Sequence, residues 1–287
     1  MTAPRRRSLS RRYFTNQVMV VLTYGAALVA TLPLLFILGH LMLQGAASIN
    51  GAFFTQLGPD PGESGGGMGN AIIGTLVLIG IAAGIGLPIG IGSGLYLAER
   101  RDSKLATVVR FLADVLNGLP SIVVGIFAWQ VLVRPIGHFS AMAGGIALGA
   151  MMIPLVSRTT EEMIRLVPVA LREAALALGY TRWRTSLAIV LRTALPGIVT
   201  GALVAIARIA GETAPLLFTA FGNHFWSFTL DEPIAALPLQ IYVYAISPYD
   251  DWHRLAWAGA LVLIGVVFAI SLAARAATRS RFGSSGD

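Results

Sequence analysis

The chain has 287 residues, of which 55% are hydrophobic and only 12% are charged. Soluble domains carry roughly 25% charged residues, so this chain has about half the usual supply for covering a water-exposed surface. It contains no cysteine, which excludes disulfide bridges, zinc–thiolate sites and thiol chemistry. The net charge of +7 says nothing about nucleic-acid binding until the positions of the basic residues are known.

Six long apolar runs alternate with polar connections. A membrane-spanning helix needs about 20 predominantly apolar residues, whereas a helix buried in a soluble core is shorter and has a polar face. The sequence therefore predicts an all-α integral membrane protein. We expect a transmembrane domain over 17–277 and tails at 1–16 and 278–287. The predicted spans cover about 17–43, 71–98, 112–133, 139–157, 194–221 and 255–275, with a long loop at 158–192.

The distribution of basic residues predicts how the spans are oriented. Of the 21 Lys and Arg residues, 18 lie in the N-terminal tail, the connection after the second run, the 158–192 loop and the C-terminal end of the chain. Connections rich in Lys and Arg stay in the cytoplasm, so we expect both termini to be cytoplasmic and no nucleic-acid partner. The first run is nearly twice the length of a signal-peptide core, about 7–15 residues, so we interpret it as an uncleaved helix.

The two largest connections on the opposite side differ in composition. Residues 44–69 are rich in Gly and Pro, and residues 222–253 are rich in aromatic side chains. Aromatic rings suit the membrane–water boundary. We therefore interpret 222–253 as an interfacial anchor, with a ligand site as the alternative.

Glycines and prolines punctuate the apolar runs. The second run contains three glycine pairs whose spacing lets helix backbones approach closely: Gly80/Gly84, Gly86/Gly90 and Gly90/Gly94. This spacing predicts either packing within the chain or a seam with another subunit. Pro120 lies inside the third predicted span, where the missing backbone hydrogen bond predicts a kink.

Two charged residues, Arg208 and Glu212, interrupt the fifth predicted span. A charge at mid-membrane costs roughly 2.5–3.5 kcal/mol on insertion scales, so such residues usually face a cavity or a partner. Their spacing of four places them on one helical face, within reach of each other. One interpretation is a structural pair that neutralises itself. The other is that the Arg208 guanidinium binds an anion in transit, while Glu212 neutralises it when the pathway is empty.

The loop at 158–192 predicts two short helices outside the membrane. Pro168 can open the first, Leu171–Leu178 is rich in helix formers, and Gly179 ends it. Thr181 can cap the second helix. From these residues alone, the loop is a helical hairpin that connects two spans.

Within this loop, Glu173-Ala174-Ala175, followed by Gly179 and Ile189-Val190-Leu191, resembles the EAA signature of bacterial ABC importer permeases. In that family the loop forms the coupling helices that bind in a cleft of the ATPase subunit. The resemblance therefore implies a coupling role for Glu173, Ala174, Ala175 and Gly179. The signature usually continues with Leu-Pro, whereas this chain has Leu191-Arg192.

Three further stretches, Gly69–Leu76, Leu119–Gly125 and Arg208–Leu217, resemble phosphate importer permeases of the PstA type. The Gly211–Pro215 run is the most specific, because related sulfate and molybdate permeases share its Arg and Gly-Glu but typically not Thr-Ala-Pro. The resemblance implies the six-helix type I (MetI-like) transmembrane domain and a substrate pathway that contains Arg208, Glu212 and Thr213. Transport of another oxyanion, sulfate or molybdate, is the alternative.

The resemblance also implies partners in a bacterial plasma (inner) membrane. It implies a heterodimer with a second homologous permease, two copies of an ABC ATPase and an extracytoplasmic phosphate-binding protein. The chain lacks the Gly-x-x-x-x-Gly-Lys-Ser/Thr phosphate cradle, and Lys104 is its only lysine, so it is not itself a P-loop ATPase. We expect no cofactor and no metal on this chain, with ATP and magnesium used by the partner.

Two other classes of function compete with this interpretation. An intramembrane enzyme would need a catalytic cluster, but the four histidines are scattered, without the paired spacing of metal ligands. A passive anion channel is the remoter alternative, although a channel has no reason to carry an ATPase-docking loop.

The orientation predicts which positions are accessible from outside the cell. Ser64→Cys and Asp231→Cys should react with an impermeant maleimide added to sealed, right-side-out vesicles, because both lie in outer loops. Thr181→Cys should not react, because it lies in the cytoplasmic loop. The chain has no cysteine of its own, so there is no background. Labelling of Thr181→Cys in intact vesicles would reverse the predicted orientation.

Overall fold

The apolar runs form long helices in a computed structural model that describes residues 9–282, with side chains described for 12–276. Within this range five segments are long and apolar enough to span a membrane, and a bent pair makes a sixth. The helices are α1 (Leu9–Gly45), α2 (Gly51–Thr55), α3 (Gly69–Glu99), α4 (Lys104–Gly118), α5 (Ser121–Ala128), α6 (Arg134–Ile136), α7 (Ala141–Arg165), α8 (Val169–Ala177), α9 (Arg182–Thr185), α10 (Leu191–Ala210), α11 (Ala214–Thr219), α12 (Leu237–Ala245) and α13 (Asp250–Phe282).

Several helices are longer than the apolar runs that predicted them. α1 begins inside the predicted N-terminal tail and α13 reaches into the predicted C-terminal tail. The outer parts of those tails, 1–8 and 283–287, lie outside the described residues. α7 continues to Arg165, and α9, a π-helical turn at Ser186–Val190 and α10 form one segment over Arg182–Ala210. The connection between them is therefore much shorter than the predicted loop at 158–192.

The centre of the fold is the close contact between α3 and α7. A Cβ atom on Gly90 would lie 2.7 Å from the Cβ of Val156, and one on Gly94 would lie 2.5 Å from the carbonyl oxygen of Ser157. Only glycine allows the two backbones to approach this closely. Gly80 and Gly84 have open space at the same position. The predicted spacing thus packs two helices of this chain on one face of α3, and a seam with another subunit on the other face stays a prediction.

The third predicted span, 112–133, is not one straight helix. α4 ends at Gly118, and the segment Ser121–Ile136 leaves it at an angle of 105°. Leu119 is extended, with φ −71° and ψ 137°, because the ring of the following proline disfavours helical backbone at that position. Pro120 therefore forms a sharp corner and N-caps α5, where its missing N–H has no cost.

The fifth predicted span, 194–221, is also interrupted. α10 ends at Ala210, Gly211 is its C-cap with φ −96° and ψ 0°, and α11 starts only at Ala214. Phe221 then has φ +61° and pairs through an isolated bridge with Ile234. A second non-helical break therefore interrupts a predicted span, and this one contains Glu212 and Thr213.

The two ends of the helix bundle differ chemically. At the end that we call the basic end, the last turns of α3 and α7 meet the start of α4, α8 and α9. At the opposite, aromatic end lie the connections 46–68 and 222–236 and the start of α13. Trp226 and Phe228 stack there, with ring centroids 6.2 Å apart. Between residues 12 and 40, α1 has no buried side chain, so this helix offers its surface to lipid or to another subunit.

Candidate functional site

The break after α10 brings Arg208 and Glu212 together. Arg208 lies in the last turn of α10, and Glu212 follows the helix rather than continuing it. The Arg208 Nε atom is 3.8 Å from Glu212 Oε1, and the two side chains are 44% and 17% exposed. This distance permits charge attraction but exceeds that of a hydrogen bond. Among the described residues, the Arg208 guanidinium thus has an ionic neighbour and no hydrogen-bond acceptor.

The hydroxyl group of Thr213 points away from this pair. Its Oγ1 atom lies 3.5 Å from the carbonyl oxygen of Pro238, at the start of α12. Thr213 also occupies the N-cap of α11, but without a side-chain capping hydrogen bond. Of the three predicted pathway residues, the structure joins Arg208 and Glu212 and turns the Thr213 hydroxyl towards α12.

Arg208 does not lie halfway along the spanning segment, where a charge in the middle of the membrane would lie. At 1.5 Å per residue, it lies about 24 Å along the helix from Arg192, close to the aromatic end of the bundle. Thr200 and Val204 precede it on the same exposed face of α10. The helix thus presents an unpartnered strip that ends in a cation. Such a strip can form one wall of a path for an anion when a second subunit supplies the other wall.

The coupling segment begins at Pro168, which caps α8, and ends in a tight turn at Gly179. The Gly179 N–H donates to Leu176 O, and the Tyr180 N–H donates to Ala175 O. This pair of bonds is a Schellman motif, which requires left-handed backbone at the residue after the C-cap. Gly179 has φ +87°, which confirms the turn expected from the sequence. Thr181 N-caps α9 as expected, but its side chain makes no capping hydrogen bond.

The two alanines of the EAA signature differ in their exposure. Ala175 is only 2% exposed, because this side of α8 packs on the π-helical turn Ser186–Val190. Glu173 and Ala174 are exposed, and Leu178 is 79% exposed. The small size of Ala175 therefore serves contact inside this chain, while Ala174 lies on the exposed face. The coupling role that the resemblance implies for these residues stays a prediction.

An arginine on α8 fixes the coupling segment to the membrane helices. Arg172 Nη1 lies 2.5 Å from Glu99 Oε1 at the end of α3. Its Nη2 donates to the carbonyl oxygen of Ile164, 3.3 Å away near the end of α7. One guanidinium therefore joins α8 to the ends of two spanning helices.

A buried carboxylate at the basic end was missed by the sequence interpretation. Glu161, in the last turns of α7, is 1% exposed. It accepts hydrogen bonds from Arg110 Nε at 2.7 Å, from Arg158 Nη1 at 3.3 Å and from Arg165 Nη2. Arg158 lies three residues before Glu161 and Arg165 lies four residues after it, which is the spacing of one helix face and is visible in the sequence. The sequence analysis places these residues in a loop, where this spacing has no meaning.

Arg110 extends this cluster to α3. Its Nη2 donates to Leu97 O at 2.8 Å and its Nη1 to Arg101 O at 3.1 Å. The last carbonyl groups of a helix lack partners within the helix, and a cation satisfies them well. Arg158 also pairs with Asp114 on α4 at 3.0 Å. The ends of α3, α4 and α7 thus share one polar network.

This network predicts a strong effect of removing its central charge. Glu161→Gln should lower the stability of the folded subunit by about 2–3 kcal/mol, because three arginines lose the carboxylate that neutralises them. Thermal unfolding of the purified transporter in detergent measures the effect as a lower Tm. Glu162→Gln is the matched control, since Glu162 is the next residue, is exposed and has no ion pair with any described side chain. Equal Tm values for the two variants would contradict a structural role of Glu161.

No group of three or more His, Asp or Glu side chains that could hold a metal ion occurs in the described part of the chain. The residues that the sequence predicts as functional fall into two separate sets. One set lies at the α10–α11 break and contains the cation of Arg208. The other lies on α8 and the turn after it, and α8 is joined to α3 and α7 through Arg172.

Comparison with known proteins identifies the family. Residues 86–281 match the model of the binding-protein-dependent transport system inner membrane component. The phosphate transport system permease protein PstA of Yersinia pestis is 47% identical over 272 residues, which cover 94% of this chain and 92% of that protein. PstA 1 of Mycobacterium tuberculosis is 40% identical over 271 residues, covering 92% and 88% of the two chains.

Solved structures confirm the fold. The MetNI methionine ABC transporter in an inward-facing conformation aligns with a TM-score of 0.59 at 22% identity, covering 74% of this chain and 92% of that chain. A bacterial alginate ABC transporter aligns with a TM-score of 0.66 at 16% identity, covering 98% and 100%. The predicted six-helix type I fold of ABC importer permeases is thereby confirmed. This chain belongs to the family of binding-protein-dependent transport system inner membrane components.

Proposed function

We propose that this chain is one permease subunit of an ATP-driven importer of inorganic phosphate and that it forms half of the translocation pathway. The proposal rests on relatives named phosphate transport permeases, which match more than nine-tenths of the chain at 40–47% identity. The geometry agrees with an anion as substrate, because Arg208 stands at the open face of α10 without a hydrogen-bond acceptor. ATP is hydrolysed by a separate subunit of the transporter.

The remaining parts of the complex follow from the family. We infer a heterodimer with a second, homologous permease, two copies of the ATPase and an extracytoplasmic phosphate-binding protein. The basic end of the bundle faces the cytoplasm, as do both termini, because arginines concentrate there. The aromatic end then faces the binding protein. The exposed faces of α1 and α10 are the surfaces available to the second permease and to lipid.

In the coupling step, α8 transmits the movement of the ATPase to the membrane helices. An ATPase that binds the exposed face of Leu171–Trp183 contacts Glu173 and Ala174, while Ala175 and Arg172 hold α8 against this chain. Because Arg172 bonds to the ends of both α3 and α7, a displacement of α8 is passed to these helices, and α7 packs against α10, which carries Arg208. Gly179 gives the turn that presents α8 to the ATPase.

The turn at Gly179 provides a test of this docking role. Gly179→Val should separate ATP hydrolysis from phosphate uptake or release the ATPase, because a β-branched residue cannot readily adopt φ +87°. The clash is purely a matter of backbone, since a Cβ atom at Gly179 meets nothing within 4 Å. Gly179→Asn is the matched control, because asparagine tolerates left-handed backbone.

The measurement compares co-purified ATPase, ATP hydrolysis and phosphate uptake in proteoliposomes that contain the whole complex. Loss of coupling in the valine variant and near-normal behaviour of the asparagine variant support the role of the turn. Normal ATPase binding and uptake in the valine variant would refute it.

At the α10–α11 break, the guanidinium of Arg208 can present two donors to two phosphate oxygens. The 3.8 Å separation from Glu212 keeps the site neutral overall but leaves those donors available. A phosphate that arrives can therefore displace the attraction to Glu212 without first breaking a hydrogen bond. Gly211 keeps the backbone beside this site free of a side chain.

Substitution of Arg208 tests the pathway role and the substrate together. Arg208→Gln should abolish uptake of labelled phosphate while the complex still assembles, and Arg208→Lys should restore little, because a point charge lacks the planar fork. In the wild type, unlabelled phosphate should compete with the label, whereas sulfate and molybdate should not. Uptake is measured in proteoliposomes with the binding protein present.

A purely structural pair has a different signature. In that case either single substitution lowers the amount of assembled complex, and the combination of Arg208→Gln with Glu212→Gln restores both assembly and transport. Near-normal phosphate uptake by a well-assembled Arg208→Gln complex would rule out the pathway role. Competition by sulfate as strong as that by phosphate would instead favour the alternative of another oxyanion as substrate.

A further inference from the structure

A pocket of about 550 Å³ opens at the basic end, far along the bundle from Arg208 and beside the C-terminal end of the Leu171–Trp183 stretch. One wall is the last two turns of α3, and the other is the start of the Arg182–Ala210 segment. The pocket is lined by Gly92, Leu95, Tyr96, Glu99, Arg100, Arg182, Trp183, Ser186 and Leu187. Its mouth and its interior differ in chemistry.

The mouth of the pocket carries a net positive charge. Arg100 and Arg182 are both exposed, and neither guanidinium has an ion-pair or hydrogen-bond partner among the described residues. Glu99, the one acid of the lining, is already engaged by Arg172 at 2.5 Å. Two cations are therefore available at the mouth, and the pocket lining contains no free carboxylate to neutralise them.

The interior of the pocket is apolar and open to the side of the bundle. Leu187 is 45% exposed, and a Cβ atom on Gly92 would meet no atom within 4 Å. Trp183, 62% exposed, also lines the pocket and follows Arg182 in the chain. An exposed tryptophan at the end of a spanning segment is typical of the membrane–water boundary. Both walls belong to segments long enough to span the bilayer.

We propose that this pocket binds an anionic phospholipid of the membrane leaflet at the basic end. The headgroup phosphate lies between Arg100 and Arg182, and an acyl chain lies along Leu95 and Leu187. Basic pockets between spanning helices are the usual sites for acidic headgroups, and each nearby arginine favours binding. A soluble anion has no use for the apolar floor, which selects the lipid.

The site also has a mechanical consequence. The headgroup bridges the end of α3 and the start of α9, while the Glu99–Arg172 ion pair joins the end of α3 to α8, the helix that precedes α9. The lipid therefore holds the coupling segment against α3 in addition to that ion pair. The proposal rests on the placement of the chain in a bilayer, and is independent of which anion the transporter carries.

The test uses the assembled transporter, purified in detergent and stripped of loosely bound lipid. It is incubated with phosphatidylglycerol or with phosphatidylcholine, and retained lipid is quantified by mass spectrometry. The wild type should retain phosphatidylglycerol in preference, and excess inorganic phosphate should not displace it. The double variant Arg100→Gln with Arg182→Gln should lower retention about tenfold.

Arg184→Gln is the matched control. Arg184 is a neighbouring exposed arginine that lies over the ring of Trp183, 5.8 Å from its centroid, and does not line the pocket. This variant should retain phosphatidylglycerol as the wild type does. If the control and the double variant lost phosphatidylglycerol equally, the retention would depend on general surface charge and the proposal would be overturned. Displacement of the lipid by inorganic phosphate would also overturn it, in favour of a site for a soluble anion.

A single cysteine tests whether the pocket is open to lipid in the complex. Leu187→Cys should react with a maleimide in the assembled transporter after its lipid has been stripped in detergent, and added phosphatidylglycerol should slow that reaction. Complete protection in the stripped transporter would show that a second permease or the ATPase covers the pocket, and would exclude the lipid. Co-purification of the ATPase with each variant is measured in parallel, so that a failure of assembly is recognised separately.

Discussion

The arrangement of the helix ends at the basic end of this protein depends on the buried carboxylate of Glu161. A buried charge is tolerated only when it is paired and hydrogen-bonded, and Glu161 receives three guanidinium groups. One of these, Arg110, also caps the end of α3. The position of α8 depends in turn on the ends of α3 and α7, to which Arg172 binds. The coupling segment is thus oriented by a charge network that it does not itself contain.

Hydropathy does not detect the residues that interrupt the helices. A run of apolar residues predicts that a segment enters the membrane, but it does not predict the direction of the backbone within that run. The ring of Pro120 holds Leu119 in an extended conformation and the third span turns through 105°, whereas the fifth span ends early at Gly211. In a membrane, such breaks persist only where protein surrounds them or a cavity solvates them. Each break therefore needs protein or water beside it in the assembled transporter.

The sequence predicted the class of fold, the family and the turn at Gly179, because each depends on local composition or spacing. It did not predict that Ala175 is buried, since the face of a short helix that packs inward is decided by its neighbours. It also assigned Glu161 to a loop, because hydropathy falls at the charged end of α7 although the helix continues to Arg165. The polar parts of a membrane helix are where composition is the least informative.

The arginines differ in how far their donors are occupied, but an unoccupied guanidinium does not by itself mark a binding site. Arg110 and Arg172 each donate hydrogen bonds to carboxylates and to helix carbonyl groups, so their donors are occupied. Arg208 has only a distant carboxylate, and the guanidinium groups of Arg100 and Arg182, like those of several other exposed arginines, have no partner among the described residues. What distinguishes these three is their surroundings, because Arg208 ends an exposed strip of α10, and Arg100 and Arg182 line one pocket. A guanidinium always carries its charge, so these are the positions at which we propose that an anion binds, one along the transport path and one at the lipid surface.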